Sequence, residues 1–477
     1  MHASGQCLPD QKSVLLQIRT EITYNPSTST KLVLWDEGAD CCRWPGLSCN
    51  DATGYITSLD LSDDKSITGG FNVSLLYKLP SLSVIRLNWV KFSTPFPDFF
   101  TDFTNLTVLS LAYCNFSGTV PHKVFQVPTL QTIDLSSNFM LGGSLPDFPE
   151  NGPLKSLKLL GTKFSGNLPE SIGNLGLLSH IDLTGCHFSG PIPASLFFLP
   201  SLQTLSLDAN KLSGTIPSFF FRLQNLTFLD LSSNKFFGQI IDLQNVTSPL
   251  ESLDLRDNNL EGTIPSFFFR LQNLTSLDLS SNKCFGQMID LQNVTSPLKS
   301  LYLRDSNLEG TIPSFFFRLQ SLTLLDLSSN KFVGQMIDLQ NYGSLQFLDL
   351  NSNMLSGQIP RPPPEAVYLD FSNNNFSMIP LDFADQIPDV DFFSIANNGV
   401  SGKISTSWCR AANLEALDLS FNNLTGNIPV QLKILTFLEV LNLSYNHLVG
   451  RIPRSTQFRS RRNLCATFAI QQMEIIL

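Results

Sequence analysis

Four cysteines fall within the first 49 residues, Cys7, Cys41, Cys42 and Cys49, and paired thiols are the first chemistry they offer. The adjacent Cys41 and Cys42 cannot readily bridge each other. That leaves Cys7–Cys41 with Cys42–Cys49, or the crossed alternative. Disulfides persist in an oxidising compartment. Ten N-x-S/T sequons point the same way, at Asn72, Asn105, Asn115, Asn225, Asn245, Asn273, Asn293, Asn375, Asn423 and Asn442. In a secreted chain they would carry N-linked glycans. Catalysis finds little. His2, His122, His180, His187 and His447 have no cysteine, serine or acid partner at diagnostic spacing. Aspartates such as Asp230 and Asp278 recur one per repeat, not as a pair, and the glycines belong to turns. The expectation is a chain that is not an enzyme and uses no cofactor or metal.

What positions these groups is a repeat. A 48-residue block beginning at Thr215 is written again from Thr263 and begun a third time at Thr311; the first two copies differ at six positions. Each block halves into units of 24, carrying Leu226-x-x-Leu229-x-Leu231-x-x-Asn234 and then Leu250 to Asn258 in the same pattern. The second leucine-type position runs from Leu59, Ile85 and Leu109 to Leu417 and Leu441, seventeen units in all. Such a period means a stacked array in which each unit buries its core against its neighbours.

The L-x-L alternation predicts one short strand per unit, with Leu229 and Leu231 inward and Phe228, Asp230 and Ser232 outward. Strands stacked in one direction make a parallel sheet. The ninth position is Asn in eleven of the seventeen units. A buried amide both donates and accepts, so stacked asparagines can satisfy backbone groups left unpaired where the strand turns away. Cys114 and Cys186 occupy this slot as substitutes, and Cys284 takes the inward place of Phe236; none reads as a metal ligand or nucleophile. After the Asn comes G-x-I/L-P, as in Gly214-Thr-Ile-Pro217, which suits a turn into an extended segment. Where Gly238-Gln-Ile-Ile-Asp242 and its two copies replace it, the far side of the coil should be built differently.

The fold expected is an α/β repeat solenoid, a superhelical arc with a parallel β-sheet on its concave face. Residues 1–54 form a helical, disulfide-bonded cap in which Asp10 can cap a helix that puts Leu15, Ile18 and Ile22 on one face. Residues 55–458 are the array and 459–477 an irregular tail. Outward side chains on the sheet form one continuous surface. On it Phe347, Tyr368 and Phe392 recur at one position in three consecutive units, the composition of an interface core or of rings that only pack coil against coil. Trp89 with Tyr113, and Arg256 with Tyr302 and Arg304, are further ligand-surface candidates.

Composition narrows the class. Hydrophobic residues make up 42% and charged residues 15%, so the chain is not of the disordered kind. A net charge of −9 argues against nucleic acid, and the cluster Arg451, Arg454, Arg459, Arg461 and Arg462 reads as a solvated tail. No run approaches the roughly 20 apolar residues of a membrane span, and Met1 to Cys7 has no apolar stretch resembling a secretory signal.

L-x-x-L-x-L-x-x-N with G-x-I-P at 24 residues resembles the plant extracellular leucine-rich repeat class. The opening Cys7-Leu-Pro-Asp-Gln-Lys12 and Asp40-Cys-Cys-Arg-Trp44 to Cys49 look like its N-terminal cap. The run from Leu438 to Phe458 is similar to the last repeat of plant receptor-like proteins of the Cladosporium and Verticillium resistance type. The resemblance implies a plasma-membrane receptor without a kinase, facing outward, that binds an extracellular protein, peptide or glycan and signals in defence or development through a leucine-rich repeat receptor-kinase co-receptor. That family normally has a signal peptide, an island between late repeats, a second cysteine cap, an acidic stretch and a membrane helix, none visible here. Cys409 has no partner where Gln431 stands, and Cys465 opens a C-cap without a second cysteine. A deletion near Leu424–Leu432 and a lost tail after Arg459, hence a truncated form, account for this most simply. The alternatives are a soluble secreted inhibitor of a cell-wall-degrading enzyme, a cytosolic scaffold, or a non-functional truncated product.

Overall fold

A computed structural model of the chain describes residues 6–284 and 286–451, in two compact units, residues 1–236 and 237–477. The tail expected at 459–477, with Cys465 and the arginines from Arg454 onward, lies outside the described residues.

The first unit opens on the helix Pro9–Glu21. Leu15, Ile18 and Ile22 are all buried along it. Asp10 is not its cap: Leu8 takes that place without a side-chain bond, and Pro9 opens the helix. Proline's fixed φ and missing N–H suit that first position, leaving Asp10 in the first turn, where its charge favours the open amides. The structure pairs Cys7 with Cys41 and Cys42 with Cys49. One oxygen of Asp40 accepts the N–H of Cys7 at 3.0 Å and of Cys42 at 3.1 Å, tying the two bridges together. The strand Leu47–Cys49 then pairs antiparallel with the first repeat strand, Ile56–Asp60. The cap thus covers a sheet edge that would otherwise template another chain.

From Ile56 the strands run parallel: Val84–Arg86, Val108–Ser110, Thr132–Asp134, Ser156–Lys158, His180–Asp182, Thr204–Ser206 and Phe228–Asp230. The second unit repeats the arrangement from Ser252–Asp254 to Val440–Asn442. Register is in phase, Leu205 opposite Leu229 and Leu348 opposite Leu369, so inward leucines form rows removed from water as far as Leu419, while Leu441 and Leu443 are half-buried. The alternation fails at the third outward position, at Ser232 as also at Ser136, Ser328, Ser372 and Ser420, and at the second in Ser110, Asp370 and Ser394, all buried. Ser232 was expected outward and is 1% exposed. The strand ends at Asp230, whose carboxylate accepts the Ser232 N–H at 2.9 Å and starts the turn; two-residue periodicity has no hold beyond that point.

Past the turn the asparagines form the expected ladder. Asn138 is fully buried. Its Oδ1 accepts the N–H groups of Cys114 and Phe116, and its Nδ2 donates to the carbonyls of Leu111 and Leu135 at 2.8 Å. Each amide therefore satisfies its own turn and the preceding one. Cys114, Cys186 and Ser306 stand in the slot with one donor each, to Leu87, Leu159 and Leu279. Burial pushes the Cys114 and Cys186 thiols up and that of Cys284 to about 11, so all three stay protonated and poorly nucleophilic.

The glycine of G-x-I/L-P does more than turn the chain. It closes a second short strand, as in His187–Gly190 and Lys211–Gly214, which pair in parallel. Gly190 has φ +77° and a Cβ there would meet the Asn167 side chain at 2.7 Å, so only glycine fits without displacing it. The following proline caps a 3₁₀ turn: Pro193, Pro217, Pro265 and Pro429 precede Ala194–Phe198, Ser218–Arg222, Ser266–Arg270 and Val430–Ile434. The units built on Gly238-Gln-Ile-Ile-Asp242 and its copies have no helical turn there. Their aspartates serve the next unit instead: Asp242 binds Ser266 and Phe267, and Asp290 binds Ser314 and Phe315.

Candidate ligand-recognition face

Within the second unit, the strands Phe347–Asp349, Tyr368–Asp370 and Phe392–Ser394 bring three of the candidate rings into one row. Phe347 and Tyr368 stack with centroids 4.2 Å apart, Tyr368 and Phe392 at 4.4 Å, both pairs 8° from parallel. The strand spacing of about 4.8 Å matches the separation stacked rings prefer. Because each ring covers its neighbour, all three are half-buried and present mainly their edges. The row ends against Ala416, opposite Phe392 in the next strand.

Two residues along each strand lies a column of acids: Asp326, Asp349 and Asp370 in register, then Ser394 and Asp418. None has a cation within 4 Å among the described residues. Burial pushes the Asp349 carboxyl up to about 7, and Asp370 and Asp326 push it further, against the pull of the Asn351 N–H and of the Arg304 charge. Asp370 is raised chiefly by burial too. The Tyr368 phenol is driven up by burial and by Asp370, Asp349 and Asp326, so it remains a donor. The surface therefore combines aromatic edges, a phenol O–H and acceptors that no cation contacts among the described residues. It can hold a group that is apolar on one side and cationic or N–H-rich on the other.

The other candidates are dispersed. Arg256 lies 3.6 Å from Asp254 and 3.8 Å from Asp278, a cation already engaged. Tyr302 is half-buried in the acid column, between Asp278 and Asp326, and Arg304 is exposed. Trp89 and Tyr113 belong to the first unit, stacked at 3.8 Å and 7°. They stand at the corner after the strand, at φ +72° and +58°. The pair Phe421 and Tyr445 has the same offset, stacks at 4.0 Å and also has positive φ. Sequence reasoning missed it, although the count of four residues past the second leucine marks all four aromatics. It also passed over the acid column as regular repeat residues.

Nine of the sequon asparagines are exposed; Asn442 is half-buried and its Nδ2 donates to Asp418 at 3.0 Å. Cys7, Cys41, Cys42 and Asp40 cluster tightly enough to suggest a metal site, but the sulfurs are spent in disulfides.

Comparison with known proteins adds the lineage. The chain matches the family models "Leucine-rich repeat region" over residues 100–360, "Leucine rich repeat N-terminal domain" over 8–50 and "Leucine Rich Repeat" over 413–435 and 437–458. It is 33% identical over 149 residues to Receptor-like protein 50 of Arabidopsis thaliana, covering 30% of this chain and 17% of that protein. With Receptor-like protein 6 of the same plant it is 25% identical over 266 residues, 35% of this chain and 27% of the relative. The matched stretches thus span only a minor part of those relatives. Among solved structures it resembles the Arabidopsis receptor kinase HAESA, crystallised with the peptide hormone IDA and the co-receptor SERK1. That likeness has 29% identity and a TM-score of 0.62, covering 94% of this chain and 87% of the other.

Proposed function

Because this chain belongs to the leucine-rich repeat family, we propose that it is the ligand-recognition part of a plant receptor-like protein, acting outside the plasma membrane without a kinase and signalling in defence or development through a co-receptor. The observation that carries this reading is the stack Phe347–Tyr368–Phe392 beside a column of carboxylates with no cation within 4 Å among the described residues. Stacked rings alone would serve packing. Acids buried or half-buried with no cation in contact raise the energy of the face, and a ligand bringing a positive charge would relieve that cost. We favour a peptide with an apolar side chain next to a basic one over a glycan, whose hydroxyls would leave the acids unneutralised. The disulfide-bonded cap and the exposed sequons support an extracellular setting. HAESA, similar in fold, was solved with a peptide hormone and a co-receptor, which supports the class of partner. Among the described residues no helix is long and apolar enough to cross a membrane.

The test is comparative capture. The chain and its Tyr368→Ala/Phe392→Ala variant are immobilised and exposed to the same extracellular peptide fraction, with circular dichroism and melting recorded for both. Peptides retained by the chain and lost from a still-folded variant are the expected result. Identical capture would remove this face as the site.

A further inference from the structure

The corner positions that follow each strand hold a second arrangement, independent of the Phe347–Phe392 row. In the first unit this slot is filled successively by Asp63, Trp89 and Tyr113, at φ +65°, +72° and +58°. Tyr113 covers one face of the Trp89 indole at 3.8 Å. On the side of the preceding repeat the slot holds only the short Asp63 side chain. There a cavity of about 450 Å³ opens, lined by Asp63, Asp64, Lys65, Ile67, Thr68 and Lys91 together with Trp89. The cavity therefore lies where a third ring would continue the Tyr113–Trp89 stack. Phe347, Tyr368 and Phe392 demonstrate that three rings stack at this repeat spacing.

The wall opposite Trp89 is braced. Asp64 fills the ladder slot of the first repeat. Its carboxylate accepts from the Ser66 N–H and hydroxyl and from Ser29, Thr30 and Lys31 of the cap. Asn25 donates its N–H to Ser66, and Thr68 and Gly69 donate theirs to Thr23. A Cβ on Gly70 would come within 2.5 Å of the Lys91 carbonyl, so glycine is what lets this loop close on the next repeat. Two lysines, Lys65 and Lys91, stand on the rim, both exposed and without an ion pair among the described residues. A cavity of this size with one flat apolar wall and convergent charges has the build of a ligand site.

We propose that this cavity receives an aromatic side chain of a partner peptide or protein, stacked on the open face of Trp89, with a neighbouring carboxylate of the same partner held by Lys65 and Lys91. Stacking supplies the anchor, since an offset third ring meets a face already aligned by Tyr113. The two ammonium groups select an acidic neighbour. The rigid wall means little ordering is needed on binding.

Trp89 reports on its own site. It is 55% exposed, whereas Trp35, Trp44 and Trp408 are at 0%, 3% and 2%, so acrylamide quenching of the full chain reads this indole above the others. N-acetyl-Phe-Asp-amide at millimolar concentration should shield it, and N-acetyl-Phe-amide should bind about tenfold more weakly. Lys65→Gln with Lys91→Gln, both on the surface, should erase that difference while leaving the neutral probe unchanged. Asp63→Phe would put the third ring in from the chain itself and abolish shielding by either probe at an unchanged melting temperature. Three results would overturn the proposal: no shielding by the acidic dipeptide, equal shielding by both dipeptides, or shielding by cellobiose in their place, which would assign the cavity to a sugar ring.

Discussion

Asp242 Oδ2 accepts the hydroxyl of Ser266 at 2.9 Å while its Oδ1 accepts the Phe267 N–H at 3.2 Å, so one repeat caps the helical turn of the next. The same relation joins Asp290 to Ser314 at 2.6 Å and to Phe315 at 2.9 Å. It gives a physical reason for a duplicated segment of 48 residues rather than 24. A single unit would separate the aspartate from the turn it caps.

Asp242→Ala should accordingly cost about 1 kcal/mol, the usual worth of a helix cap. Asp290→Ala should cost at least as much, because Arg318 also approaches Asp290, at 3.4 Å. Urea denaturation gives the stability. Hydrogen exchange at the Phe267 and Phe315 amides locates the change, and unaltered exchange there would reject the capping role.

The asparagine ladder makes a sharper claim. Asn138→Ala removes an amide that serves two turns and strands the N–H groups of Cys114 and Phe116 and the carbonyl of Leu111. The expected loss is about 1–3 kcal/mol. Cys114→Ala removes a single donor, from Sγ to Leu87, and should cost less. A cysteine variant as damaging as the asparagine variant would mean the slot is about volume and not hydrogen bonding.

Much of this architecture was legible because it is periodic. Leucine rows, the ladder and its cysteine substitutes, and the altered far side after Gly238 each follow from a position counted within the repeat. Legibility ended where a residue's role is set by a different unit. Ser232 turns inward because Asp230 draws in its amide, and Asp242 looks like a surface charge until the next turn is placed over it. At the candidate site the row Phe347, Tyr368, Phe392 could be counted out, but its neighbouring acids could not be told from ordinary repeat aspartates. Their character comes from burial and mutual repulsion, quantities that the spacing of letters does not carry.

Glycan occupancy should follow exposure. The nine exposed sequons are open to modification, whereas a glycan on Asn442 would sit on the amide nitrogen that donates to Asp418 and set a large polar group on the sheet face. For the chain secreted from a eukaryotic host, glycosidase treatment should lower the mass, and peptide mapping should recover Asn442 unmodified. An unchanged mass would refute secretion through a glycosylating pathway, and a fully occupied Asn442 would refute the exposure rule.

Asp349 gives the face a pH dependence whose sign can be worked out. Its carboxyl is raised from 3.8 to about 7, so between these values the folded chain holds a proton that the unfolded chain has released. Stability from this group is fully present below about pH 4 and is lost as pH rises through 7. Asp349→Asn cannot ionise, yet its side-chain oxygen can still accept the Asn351 N–H that Asp349 accepts at 2.9 Å. The variant should therefore melt close to the parent at pH 4 and above it at pH 8, by an amount bounded at a few kcal/mol. Asp370, Asp278 and Asp208 are raised as well, so the parent's own pH slope is a sum, and only the difference between variant and parent isolates Asp349. A basic ligand on the ring row should narrow that difference by favouring the ionised form, linking binding to the same proton. A variant less stable than the parent at pH 8 would show that Asp349 is already ionised and compensated, and the uncompensated acid column would lose its role in recognition.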